Sequence, residues 1–187
     1  LAQEDVDMLE INISCPNVKE GGIAFGQNPK AAEEITRAVK KYAKQPVIMK
    51  LSPNVTSIAD MARAVEAGGA DAVSLINTIT GMKIDIQKKG FLLANKTGGV
   101  SGPAIHPIAV RMVYEAANAV KIPVIGMGGI ASAEDAIEML LAGASAVSVG
   151  TANFYNPAVT MEIVDGIERY MQEQGFETVS DMVGIVR

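Results

Sequence analysis

One cysteine, one histidine and no tryptophan in 187 residues remove several kinds of protein at once. A lone thiol has no partner for an internal disulfide, so the expected setting is a reducing, cytoplasmic one. A single histidine beside a single cysteine cannot supply an ordinary zinc or iron-sulfur ligand set, and no metal centre is expected. There is no run of Lys or Arg, and the net charge is -5, which argues against nucleic acid or an anionic membrane surface as a partner. No apolar run approaches the roughly 20 residues that cross a bilayer, and no cleavable apolar leader is read at the start. Aromatics make up only 4%, so the core has to be built from aliphatic, methionine and alanine contacts. That suits close packing of helices on a sheet.

What is present is enough apolar material, 49% of residues against 20% charged, for one sizeable core. Five short runs read as buried parallel strands: Leu9–Ile13, Val47–Leu51, Ala72–Ile76, Val124–Met127 and Ala146–Val149. Each is aliphatic or β-branched and bounded by Gly, Pro, Asn or Ser. Helical periods lie between them. Over Pro29–Lys44 the stripe is Ala31, Ile35, Ala38, Val39 and Tyr42, with Lys40, Lys41 and Lys44 at the end where the helix dipole favours cations. Ser57 with Asp60 opens a helix over Ile58–Ala67, and Ser132 with Asp135 opens another that closes near Gly143. A further helix is predicted from Pro157, after Asn156, to about Glu173.

The segments AVEAGGADAVSLINT (64–78) and EMLLAGASAVSVGTA (138–152) repeat one order: helix end, Ala-Gly turn, Ala-Val-Ser strand, polar tip. Alternating β and α units give an open doubly wound sheet or a closed (β/α)8 TIM barrel. The glycine fingerprint of a dinucleotide-binding open sheet is missing. Every strand instead ends in polar or glycine-rich residues, as a ring of C-terminal loops would. Five strands are counted where a barrel needs eight, the chain begins with Leu1, and about 250 residues is typical of the whole fold. The expectation is therefore an α/β chain, residues 1–187 as a single domain, forming the last five βα units of an incomplete TIM barrel with an open edge.

Four features carry chemistry. Cys15 sits past a strand tip in NISCPN, on a loop among amide and hydroxyl groups, where a thiol can act as nucleophile or general base. Burial as an inert core thiol is the competing reading. Lys50 is a charge inside VIMKLSP; it either snorkels from an edge or points into the barrel mouth, where an ammonium can stabilise developing negative charge. The turns GMGGI (126–130) and Gly150-Thr151 follow successive strands and lead toward helices, an arrangement that lets backbone N–H groups close round a phosphate. Tight helix-strand packing is the competing reading of such glycines. GGVSGP (98–103) closes a long connection from Asn77, of the kind that usually forms a lid or is disordered. His106 precedes Pro107 at a helix start and is read as a surface or first-turn residue without a role. Together with Asn12, Asn17 and Asn77, these groups suggest a phosphorylated cofactor carrying a redox step beside a polar substrate.

At these residues the sequence resembles the catalytic subunit of class 1 dihydroorotate dehydrogenases. NISCPN, KLSPN, INT, GGVSGPA, GMGGI and VGTANF occur in the family's order across nearly the whole chain. INTITG and SGPAIHP look most like the NAD-linked class 1B, whose partner subunit carries FAD and an iron-sulfur cluster. The resemblance implies an FMN-containing barrel that oxidises dihydroorotate to orotate in pyrimidine biosynthesis, in a homo- or hetero-oligomer. Cys15 matches the base that removes the C5 proton, and Lys50 a lysine at the flavin N1/O2 edge. Asn12 matches a contact to flavin and substrate; Asn17, Asn77 and Thr78 match substrate-binding positions. Ile76 and Gly102 match flavin contacts, and Gly128, Gly129, Gly150 and Thr151 match the phosphate cradle. The family's first strands, with a further substrate lysine, are not found here. Class 1A enzymes, homodimers that use fumarate, are a close alternative. The dihydropyrimidine dehydrogenase domain, which also uses a cysteine and FMN, is another, although it differs where this chain has Asn17-Val18. A non-catalytic remnant that serves as a binding or assembly module is the alternative from outside the enzymes.

Overall fold

The computed structural model describes residues 5–14 and 26–186. Five strands, β1 (Leu9–Asn12), β2 (Val47–Lys50), β3 (Ala72–Leu75), β8 (Val124–Met127) and β9 (Ala146–Ser148), form one wholly parallel sheet in the order β1-β2-β3-β8-β9. Each strand lies beside the next one along that course, with no reversal of direction of winding. This is barrel-type winding; a doubly wound sheet would show a switch point where the order turns back. Helices α1 (Pro29–Tyr42), α2 (Ile58–Ala67), α3 (His106–Ala119), α4 (Ala133–Ala142) and α5 (Val159–Gln174) follow the strands, and each packs on its neighbour in sequence. The result is an arc of an (β/α)8 barrel with β1 and β9 at the edges of the sheet.

The helix starts form as their side chains dictate. Ala31 N–H donates to Asn28 Oδ1 and Asp60 N–H to Ser57 Oγ, so one orphan donor of each first turn is satisfied. Ser132 and Asp135 make a reciprocal capping box at α4, and Gly143, with φ +118°, ends that helix. The helix expected from Pro157 starts two residues later, at Val159, because Asn156 first closes a turn by accepting from Ala158 N–H. In α1 the buried face differs from the expected stripe: Ala32 and Thr36 are buried, whereas Ala38 and Tyr42 are exposed. The cause is a close approach. A Cβ on Gly68 would lie 2.7 Å from Thr36 Cβ, so α1 presents its small residues to the end of α2.

The strands end up to one residue earlier than expected, as the chain leaves the ladder for the loops; Leu51 N–H still donates to Ser74 O at 2.8 Å. A larger correction concerns residues 77–103, expected as a lid or disordered segment. They form two small antiparallel ladders, β4 (Ile79–Met82) with β7 (Thr97–Val100) and, inside them, β5 (Ile84–Asp85) with β6 (Gly90–Phe91). Asp85 Oδ1 accepts the N–H groups of Gln87 and Lys88 and so forms the inner turn.

Side chains alternate across the sheet. Val47, Met49, Val73 and Leu75 are buried and pack with the helices in one core that includes Met61, Val65, Val113 and Met139. The other face carries Glu10, Asn12, Lys50, Ser74 and Ser148, which makes the inner side of the arc polar near its top. Among the described residues no helix is long and apolar enough to cross a membrane.

Asp71 ties three elements at the opposite end of the sheet. Its Oδ2 accepts from Lys40 Nζ of α1 at 2.6 Å and from Val47 N–H of β2 at 2.7 Å. Burial pushes the carboxyl up, but the Lys40 hydrogen bond, the Val47 N–H and the Lys40 charge together outweigh it, and the carboxyl is held below its ordinary value. A depressed folded-state value stabilises the fold above the unfolded carboxylate range, near pH 4, and the gain is lost as pH falls through it. Asp71→Asn is therefore expected to lower stability at neutral pH by roughly 0.5 kcal/mol, a small figure because water screens this half-exposed pair. In urea melts the gap to the parent should close as the pH is lowered; a gap independent of pH would remove the charge from the account.

Candidate active site at the C-terminal ends of the strands

A cavity of about 610 Å³ opens at the C-terminal ends of the strands, within the usual range for small-molecule sites. Its walls bring together Lys50, Ile76, Asn77, Thr78, Gly102, Gly128, Gly129, Gly150 and Thr151. These come from the tips of β2, β3, β8 and β9 and from the end of β7, which explains why motifs so far apart in sequence share one space. Asn12 does not line the wall; it stands beside it, at the tip of β1. Cys15 and Asn17 lie outside the described residues.

Lys50 is the last residue of β2 and turns inward by the alternation of the strand. Its Nζ lies 3.2 Å from Glu10 Oε1, and Glu10 Oε2 accepts from Ser74 Oγ at 2.9 Å. The register makes this contact natural: Asn12 is opposite Lys50, and Lys50 is opposite Ser74, so Glu10 sits one inward position below. The Lys50 ammonium thus enters the cavity with a carboxylate beneath it. Sequence reasoning missed Glu10. The signal was there, an acid within LEINI and a base within VIMKL, two opposite charges in neighbouring strands.

Amide and hydroxyl groups form a second corner. Asn12 Oδ1 accepts from Ser14 N–H and Ser14 Oγ, Asn77 Nδ2 donates to Ser14 Oγ at 2.7 Å, and Thr78 N–H donates to Asn77 Oδ1 at 2.7 Å. Ser14 is buried. The network fixes the tip of β1 up to the residue before Cys15 and leaves amide groups of Asn77 and the Thr78 side chain at the cavity.

The third corner is glycine-rich, and GMGGI divides into two causes. Gly126 serves packing, since a Cβ there would lie 3.1 Å from Ala144 Cβ and 3.2 Å from Met139 Sδ. Gly128 and Gly129 serve conformation, with φ of +131° and +73°. The N-terminus of α4 is closed by its own residues, because Asp135 Oδ2 accepts from the N–H groups of Ala131 and Ser132. These N–H groups are therefore engaged, and the donors left for an anion lie in the loop before the helix. Gly129 N–H has no acceptor among the described residues, and Thr151 Oγ1 donates to Ser101 Oγ at 3.0 Å. A Cβ on Gly102 or Gly150 would meet nothing within 4 Å, so space lies open before both backbones. Ser101, another cavity residue, was hidden between the glycines of GGVSGP.

His106 requires a correction. It was expected at the surface or in a first turn without a role; it is indeed the first residue of α3, but it is buried. Its Nδ1 contacts Gly128 O and its Nε2 contacts Glu138 Oε2, each at 3.0 Å. Nothing in the local sequence shows this, because both partners come from the next βα unit.

The donor set suits a phosphate monoester at the glycine corner: an unengaged backbone N–H, two hydroxyls and open space in front of two glycines. Ile76, Ile105, Met127 and Ile130 supply an apolar wall, and Lys50 supplies a cation. A flat heteroaromatic ring carrying a phosphate chain fits that division of polar and apolar surface.

Fold and site together define a (β/α)-barrel segment with a cavity at its C-terminal face. The chain belongs to the dihydroorotate dehydrogenase family, whose profile matches residues 1–171. It is 63% identical over 187 residues to the catalytic subunit of dihydroorotate dehydrogenase B (NAD(+)) of Lachnoclostridium phytofermentans, covering 100% of this chain and 62% of that protein. The subunit of the same name from Alkaliphilus oremlandii is 59% identical over 184 residues, 98% of this chain and 61% of the relative. The chain thus spans about three-fifths of the length of these relatives. A crystal structure of DHODH in complex with ferulenol from Eimeria tenella superposes with a TM-score of 0.79 at 23% identity, over 95% of this chain and 53% of that one. That likeness speaks for the fold.

Proposed function

We propose that this chain forms the FMN- and substrate-binding part of an NAD-linked dihydroorotate dehydrogenase catalytic subunit, which oxidises dihydroorotate to orotate in pyrimidine biosynthesis. The observation that carries the reading is the convergence of Lys50, the Asn77-Thr78 pair and both glycine turns on one cavity. The partner in this reading is an electron-transfer subunit with FAD and an iron-sulfur cluster, as the resemblance to class 1B implies.

Bound in the cavity, FMN supplies a two-electron acceptor for the hydride that leaves C6 of dihydroorotate. The chain's residues do the rest. Gly128, Gly129, Gly150 and Thr151, with Ser101, hold the phosphate through N–H and O–H donors. Ile76 and Gly102 would line the place of the ring, and Lys50 would set a positive charge where negative charge grows on reduction. Asn12, Asn17, Asn77 and Thr78 orient the amide edges of the substrate. Cys15 Sγ takes the C5 proton. A free thiol has a pKa near about 8.5, so a modest shift makes it an effective base around neutral pH.

The test is the visible spectrum of the chain supplied with FMN, before and after anaerobic dihydroorotate. A flavin band that stays with the protein and bleaches with substrate is expected. A chain that takes up no FMN would overturn the cofactor assignment. Cys15→Ser should keep the band and bleach about 10²- to 10⁴-fold more slowly at neutral pH, the usual worth of a positioned base, with part of the rate recovered at alkaline pH. Equal bleaching rates for the two forms would remove Cys15 from the role of base.

A further inference from the structure

The peptide between Gly128 and Gly129 joins two glycines of the cavity wall. Both residues lack a Cβ and both have positive φ, so little in the local chain prevents this peptide from rotating about its own axis. Yet its orientation decides whether a donor or an acceptor faces the cavity. A trans peptide points its C=O and its N–H in opposite directions, and this bond is trans. In the structure the Gly128 carbonyl is turned outward, where His106 Nδ1 meets it at 3.0 Å. A carbonyl oxygen only accepts, so Nδ1 is the donor. The Gly129 N–H therefore points away from His106, and no described residue accepts from it.

His106 is itself held on every side. It is buried at the start of α3, and a Cβ on Gly129 would lie 2.8 Å from its own Cβ, so the loop rests directly on it. The far edge of the ring, Nε2, faces Glu138 Oε2 at 3.0 Å and Asp135 Oδ1 at 3.7 Å. Both acids belong to α4, the helix that the glycine loop leads into. Ring, loop and helix start form one clamp across two βα units.

We propose that His106 is a positioning residue for the phosphate end of the bound flavin nucleotide: by holding the Gly128 carbonyl outward through Nδ1–H, it keeps the Gly129 N–H turned to the phosphate. The inference rests on the FMN reading given above. It predicts an effect on phosphate recognition specifically, because the ring acts on the cavity through its Nδ1 contact with the Gly128 carbonyl.

The experiment compares the affinities of FMN and riboflavin, which share the ring and differ in the phosphate, for the chain and two variants. His106→Asn keeps an N–H donor in the place of Nδ1, whereas His106→Leu removes it. The parent should prefer FMN. His106→Leu should weaken FMN by about ten- to a hundredfold, the worth of one donor to a charged group, and leave riboflavin unchanged; His106→Asn should stay within about threefold of the parent for both. Equal losses of FMN and riboflavin in His106→Leu, or an Asn variant as weak as the Leu variant, would overturn the clamp. A parent that fails to distinguish the two ligands would overturn the flavin-phosphate reading itself, a separate result. Should the Leu variant not fold, the parent still decides. Its only histidine gives one set of imidazole NMR signals, which should move on addition of FMN and stay in place with riboflavin; signals that respond equally to both would overturn the proposal.

Discussion

If the cavity holds FMN as proposed, Gly129→Ala is expected to weaken that binding, and it should cost much of the protein's stability. With φ at +73°, an alanine there begins with roughly 1–2 kcal/mol of backbone strain. The new Cβ would also lie 2.8 Å from Gly102 O, 2.8 Å from His106 Cβ and 2.9 Å from His106 N. Two of those atoms are backbone, one in the turn before α3 and one in its first residue, so relief requires the cavity loop to lift from the helix. That moves the Gly129 N–H and opens the glycine corner. Stability should fall by about 2–4 kcal/mol, in the upper range for point changes with a named cause, and FMN affinity by at least a hundredfold. Gly126→Ala is the comparison. Its Cβ would lie 3.1 to 3.3 Å from Ala144 Cβ, Met139 Sδ and Met139 Cβ, on the side away from the cavity loop, so a cost of about 1–3 kcal/mol from overpacking with little change in FMN affinity is expected. Equal FMN losses in the two variants would mean that GMGGI acts through packing alone.

That contrast also shows where the sequence was legible. Strand positions could be read because each is a short aliphatic run ended by a turn residue, and helix starts because Ser57 and Ser132 satisfy backbone donors a few residues away, a local matter. Lys50 stood out because a charge in a buried strand needs a destination. The pairings across elements were harder. Glu10 meets Lys50 forty positions along the chain, and His106 meets Gly128 and Glu138 from a different βα unit; no window of sequence holds both partners. The hairpins over residues 79–100 escaped because their strands are two to four residues long and most of them carry glycine in place of an apolar alternation. The face of α1 was misread for a related reason. The close approach to Gly68 favours Ala32 and Thr36 over larger side chains, and size complementarity between two helices leaves no period in either one.

On the proposed function, Lys50→Ala should slow single-turnover reduction of bound FMN by dihydroorotate about 10²- to 10³-fold, the range for removing one preorganised charge from a developing anion. The structure adds a second effect to the lost cation. Without the ammonium, the Glu10 carboxylate keeps, among the described residues, only its Ser74 hydrogen bond, and an unbalanced negative charge is left beneath the place where the proposed reaction builds negative charge. Lys50→Ala then changes the local charge from balanced to negative, whereas Lys50→Ala with Glu10→Gln changes it from balanced to neutral. The double variant is expected to reduce faster than the single one. The recovery should be about three- to tenfold, because the Glu10 side chain is 38% exposed and water and salt screen its field. Glu10→Gln alone leaves the ammonium without its carboxylate and should reduce at least as fast as the parent. The sign of each change follows from charge alone, so the set of three rates tests the ion pair without reference to stability. Identical rates for Lys50→Ala and the double variant would show that Glu10 is only a structural partner of Ser74, and that Lys50 acts without a counter-charge beneath it.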